Sequence, residues 1–311
     1  MKLVDGVLHS YSGLIPEYNK NIAQFRTLAT SLGEEFSLLD YRYFVIQMLY
    51  LVEYADYNSQ NKLGNGLVNG QSAKALIAET GVNRIIVSST NLYVGRIVGI
   101  GTDWASNSVA KDRKITKVEN YSDGNVSGKV IYFDGDPVNI AVNNTIWGSG
   151  QESGQCDELG MKSGCLINDS IHSMIYRGIE NIFGNMWQFV DGMNIKDRIM
   201  YLCKDHTKYK SDLFESPYKK LGYTNGDTNG YVKTLGFDPD EPLARFPIEV
   251  GAGASSGMSD YYWQNPGNRI ALVGGTFSLG AYCGFWFWNL SDDSSFANVY
   301  RGCRVLIDNQ K

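Results

Sequence analysis

The chain has 311 residues, of which 43% are apolar, 20% charged and 13% aromatic, with a formal net charge of −5. This is globular composition, with enough length for one large or two ordinary domains. The acidic balance offers no basic patch for nucleic acid.

The first twenty residues, MKLVDGVLHSYSGLIPEYNK, lack the apolar core of a secretion signal, and residues 1–17 read as an N-terminal arm. Residues 19–32 read as a helix, because Ile22, Phe25, Leu28 or Ala29, and Leu32 recur at helical spacing and Gly33 offers a stop. Ser37 and Asp40 resemble a capping box that opens a second helix running to about Tyr57. Its apolar stripe is Tyr41, Phe44, Val45, Met48, Leu49, Val52 and Ala55, wide enough to predict a helix clamped against a sheet. Asp40, Arg42, Gln47 and Glu53 interrupt residues 36–55, so this segment does not read as a membrane span, and no membrane insertion is expected.

A β-rich middle follows. Residues 97–101, 115–121, 126–133 and 138–142 are short Val- and Ile-rich runs, and Asp123-Gly124 and Asp134-Gly135 supply hairpin turns. Residues 143–170 are rich in Gly, Ser and Asn and read as loop. Residues 185–195 and 199–203 are strand-like, and 204–230 form a polar excursion. Residues 252–268 read as a further loop, although they carry Tyr261, Tyr262 and Trp263. The end of the chain offers strands at 269–273, 284–290 and 302–307. The order of elements predicts an α+β fold with two N-terminal helices packed on antiparallel sheets and joined by long loops. Residues 18–311 are expected to form one domain, with loop insertions at about 143–175 and 204–268.

Catalytic signals are sparse. The chain has three histidines, His9, His172 and His206, at no triad or metal spacing. The five cysteines are an odd number without ligand spacing, which suits a reducing site of synthesis and leaves open whether Cys156 and Cys165 pair. Asp292 and Asp293 are adjacent on a loop, whereas glycosidase carboxylates face each other across a cleft. No catalytic residue, metal ligand or cofactor is expected.

The closing segment is compositionally distinct. Residues 265–309 contain no Lys, Glu, Gln or Met, and glycines punctuate aromatics interleaved with Ser, Asp and Asn. Rigid aromatics beside adaptable polar groups are the composition of a binding surface. Phe277, Leu279, Tyr282, Phe285, Phe287, Asn289, Asp292, Phe296, Asn298 and Tyr300 are the expected ligand-binding residues. Strand alternation would place them on one solvent-facing patch, with Trp286 and Trp288 beneath.

Three segments together resemble the C-type lectin-like fold, in the branch shared by formylglycine-generating enzymes and the variable proteins of diversity-generating retroelements. They are residues 36–60; Gly178, Gly184, Asn185, Trp187, Gln188 and Phe189; and Gly274-Gly275 through Arg304. The resemblance covers residues 18–307. It implies a phage-borne display protein whose closing segment is varied by adenine randomisation, which never yields Lys, Glu, Gln, Met or Trp codons. The expected function is therefore host-surface recognition by a virion protein, a fibre or decoration of tail or head, made in the bacterial cytoplasm. Its partners would be a host-surface glycan or protein receptor and other virion subunits, with self-association into symmetric dimers or trimers open. A bacterial surface adhesin and a purely structural virion decoration are the alternatives. The oxidase branch is disfavoured because Cys283 and Cys303 are far apart in sequence, whereas its paired cysteines are close. The lectin calcium site is also unexpected, because Gln264-Asn265-Pro266-Gly267 and Trp288-Asn289-Leu290 each lack a required oxygen ligand.

Overall fold

The computed structural model describes residues 1–224 and 228–308. Helix α1 spans Ile22–Thr30 and buries Ile22, Phe25 and Ala29. It opens on a full capping box: Asn21 accepts the Gln24 N–H, and the Gln24 side chain accepts the Asn21 N–H.

The expected second helix is shorter and turned differently. Phe36–Leu38 is a strand that pairs antiparallel with Val305–Ile307, so Ser37 cannot cap a helix. Asp40 accepts the Arg42 N–H and ion-pairs with the Arg42 guanidinium instead. Helix α2 then runs Tyr43–Tyr54 and buries Tyr43, Phe44, Gln47 and Tyr50. Val45, Met48, Leu49 and Val52, four of the seven residues of the predicted core stripe, point outward, and Val52 is 81% exposed. A third short helix, α3, spans Ser59–Leu63.

Strand accounts for 38% of the chain and helix for 12%, so the expected α+β fold with two N-terminal helices packed on antiparallel sheets is overturned: the protein is mostly β, with a curled sheet. The cause is pairing that local sequence does not report. The segment before α2 finds a strand partner at the far end of the chain, and 204–268, read as loop, contributes Lys219–Thr224, Gly230–Asp238, Glu241–Val250 and Tyr261–Gln264. Pro242 and Pro247 argue against a central strand, and Glu241–Val250 does lie at the edge of its sheet.

The chain divides into two units, Met1–Val68 with Ser153–Lys311, and Asn69–Glu152. Residues 69–152 thus form a compact unit of their own inside the span 18–311 expected as one domain with loop insertions. The physical reason is that its strands close a core of their own around Ile85, Val87, Val98, Ile100, Ile131, Phe133 and Ile146. Its six-stranded sheet curls back on itself, because Ala75 bridges Val87 and the Leu76 N–H reaches the Ile86 carbonyl. Ile97–Gly101 is a strand as expected, and Asp123-Gly124 turns the chain between Ala110–Ser122 and Ser127–Phe133. There the Asp123 carboxylate accepts the N–H groups of Asn125 and Val126.

The larger unit is organised by Trp187–Lys196, a strand buried at every position except Lys196. It pairs with Ile199–Leu202 through a two-residue turn, Asp197-Arg198, with both φ angles positive. On its other side lies Asn268–Val273, followed by Trp288–Leu290. Tyr261–Gln264 joins Trp288–Leu290 in parallel, and Gly230–Asp238 and Glu241–Val250 complete that flank. Arg301–Gly302 runs parallel to the start of the central strand. The expected pairing of the chain's end with a much earlier strand is present, and Trp187 is 2% exposed. Gly184 is required at the entry to this core: its φ is +71° and a Cβ would stand 2.6 Å from the Leu67 carbonyl oxygen. Among the described residues, no helix is long and apolar enough to cross a membrane.

Candidate functional site

The expected ligand-binding residues do not form one exposed patch. Phe277, Phe285, Phe287 and Asn289 are buried, as are both Trp286 and Trp288. Alternation fails because residues 284–287 turn rather than extend: the Phe287 N–H returns to the Gly284 carbonyl. The strand begins only at Trp288. Gly284 permits this turn by lying against a buried acid, since a Cβ there would stand 2.2 Å from the Asp260 carboxylate oxygens. Asp260 accepts the Trp286 N–H at 2.7 Å. Burial pushes its pKa well above the usual carboxylate range. The Phe285 ring packs against Tyr50, Tyr176 and Phe183, and its carbonyl accepts the Gln47 amide.

A second group builds a loop rather than a binding surface. Asn289 accepts the Ser291 N–H and donates to Asp292, which ion-pairs with Arg301. The Arg301 guanidinium lies over the Phe296 ring at 4.3 Å. Asn298 accepts the Tyr300 N–H, and Tyr300 packs on Phe277. Phe296 remains 41% exposed at the edge of this assembly. Leu279 is half-buried at the start of a one-turn 3-10 helix, Gly280–Tyr282. The helix presents Tyr282, 37% exposed.

Tyr282 belongs to an aromatic ladder that sequence reasoning missed. In Tyr261–Gln264, Tyr262 and Gln264 point inward while Tyr261 and Trp263 remain part-exposed. Tyr231, on the adjoining strand, pairs in register with Tyr261. The Tyr261 and Tyr282 rings lie 4.4 Å apart at 32°, and Tyr231 meets them edge-on at 5.1 and 5.7 Å. Trp263 extends the row past Tyr261 at 6.2 Å. Beneath, Phe287 touches Tyr261, Trp263, Tyr282 and Trp187. The short Tyr261-Tyr262-Trp263 run marked part of this face, but its pairing with Tyr231 depends on a register that sequence does not reveal.

The ladder combines flat apolar faces with phenol and indole tips, and core packing fixes its rings in advance of any ligand. Burial, and then the neighbouring phenols of Tyr282 and Tyr261, raises the Tyr231 pKa above the ordinary tyrosine range. The five cysteines are free thiols, Cys156 and Cys165 included. No protein-family model and no curated protein matches this sequence.

Proposed function

We propose that this protein presents a ligand-binding face for host-surface recognition, as a fibre or decoration protein of a phage tail or head assembled in the bacterial cytoplasm. The observation that carries the binding reading is the ladder Tyr231, Tyr261, Trp263 and Tyr282, left part-exposed over the buried Phe287. Clustered accessible aromatics on a rigid base are the usual anatomy of a recognition surface. The virion setting rests on the resemblance of residues 274–304 to retroelement-diversified proteins, and a host receptor and other virion subunits are the partners in this reading.

Diversification, on the same reading, belongs to exposed positions such as Tyr282 and Phe296. A buried position such as Phe285 or Phe287 would lose about 3–5 kcal/mol on truncation and could not accept arbitrary residues. No catalysis is assigned. Burial pushes the Cys303 thiol up to about 11 and Cys283 higher still, which opposes a thiolate pair at neutral pH.

The test is adsorption of virions, or of the purified protein, to host cells, with Tyr261→Ala and Tyr282→Ala compared with the unaltered chain. Each should weaken binding by about 2 kcal/mol, roughly thirtyfold. Adsorption unchanged in both variants would end the proposal.

A further inference from the structure

A cavity of about 330 Å³ lies within the unit formed by Met1–Val68 and Ser153–Lys311, and His9, Tyr11, Glu180, Asn181, Gln188 and Arg304 are among its lining residues. The Arg304 guanidinium is held firmly. Its Nε donates to Gln188 Oε1 at 2.8 Å, and its Nη2 donates to the carbonyls of Glu180 and Asn181 at 2.9 and 3.2 Å. All of these acceptors are neutral. Among the described residues, no carboxylate stands within ion-pair distance of Arg304, and its Nη1 makes no hydrogen bond.

A desolvated cation without a counter-charge is costly, and buried charges are normally paired. Arg304 is desolvated enough for burial to lower its pKa, yet it keeps some accessible surface, and it lines the cavity. Nη1 is not among the sealed, unpartnered polar atoms. The guanidinium therefore offers a pre-positioned donor edge to the cavity. Glu180 supplies little compensation, because its carboxyl accepts the Gly154 N–H at 2.6 Å and burial raises its pKa towards the neutral form. Lys2, also at the cavity, is occupied by Glu17 at 3.4 Å. The His9 and Tyr11 rings, which also line the cavity, stack at 4.6 Å and 20° and offer flat ring surface to a carbon skeleton.

We propose that this cavity is a second ligand site, specific for a small organic carboxylate whose anionic head meets Arg304 Nη1. Its volume is at the low end for ligand pockets and suits an acidic monosaccharide or a short aliphatic acid. One free guanidinium edge matches a single carboxylate better than a phosphate, whose further charge would need more donors.

The experiment titrates the full-length protein with methyl glucuronide, glutarate and methyl glucoside, read by calorimetry or ligand-observed NMR. At least one acid should bind about tenfold or more tightly than the neutral glucoside, as a charge-assisted bond predicts. Preference for glucuronide or for glutarate identifies the acid as sugar-derived or aliphatic. Tyr11→Ala, at a 55% exposed position, should weaken the acid several-fold with an unchanged melting temperature. Arg304→Gln, which removes the charge, should remove the preference for acid over glucoside. Tyr282→Ala should leave acid binding intact, so this site and the aromatic face can fail independently. No acid binding at about 10 mM, a weaker limit than ordinary ligand affinities, would overturn the proposal. Equal binding of glucoside and glucuronide, or loss of acid binding in Tyr282→Ala, would do the same.

Discussion

Phe287 and Tyr282 are adjacent aromatics with opposite expected roles, and alanine at each separates core from face. Phe287 is 0% exposed and packs against Trp187, Tyr261, Trp263 and Tyr282. Deleting a buried Phe ring costs about 3–5 kcal/mol, the transfer free energy plus the cavity left behind. In a unit of this size each kcal/mol moves Tm by roughly 2–4 °C, so Phe287→Ala should lower it by about 6–20 °C. Tyr282 is already 37% exposed and loses chiefly its ring contacts with Tyr261 and Tyr231. Those contacts are worth about 0.5–1.5 kcal/mol each, so Tyr282→Ala should cost about 1–3 kcal/mol and lower Tm less than Phe287→Ala does. Differential scanning calorimetry beside the adsorption assay gives both numbers. Tyr282→Ala melting as low as Phe287→Ala would return Tyr282 to the core and remove it from the binding face.

Asp260→Asn should flatten the pH dependence of stability. Burial raises the Asp260 pKa in the folded protein, so its stabilising contribution is complete below the unfolded value, near 4, and is lost as pH rises through the folded value. The variant should therefore gain Tm relative to the unaltered protein as pH rises from about 4, and an equal slope in both would contradict the buried acid. Gly284→Ala should cost about 1–3 kcal/mol, since its Cβ meets the same carboxylate, and Asp260→Ala should partly rescue it in a double-mutant cycle. Arg26→Ala should cost about 3 kcal/mol in a denaturant melt, because it leaves the 2% exposed Asp191 without the guanidinium that binds it at 2.7 and 2.8 Å. Residues 69–152 expressed alone should melt cooperatively with a β-sheet circular dichroism spectrum, because they enclose their own apolar core.

Much of the local structure was legible in the sequence because its causes are local. The spacing of Ile22, Phe25 and Ala29 places α1, and Asp123-Gly124 places a hairpin turn. Gly184 and Trp187 mark the core because a left-handed backbone and a large indole admit few other environments. The composition of residues 265–309 singles out a segment whose central aromatics are mostly buried, Tyr282 alone among them lying in the exposed ladder. Tertiary structure decided what local pattern leaves degenerate. Residues 36–38 became a strand because their partner lies at 305–307, α2 begins only at Tyr43, and Val45, Met48, Leu49 and Val52 face outward. The turn at 284–287 depends on Asp260, and the ladder depends on the pairing of Tyr231 with Tyr261. Each is a contact between residues distant in sequence, and the free energy that selects it comes from burying both partners together, a quantity neither segment carries alone.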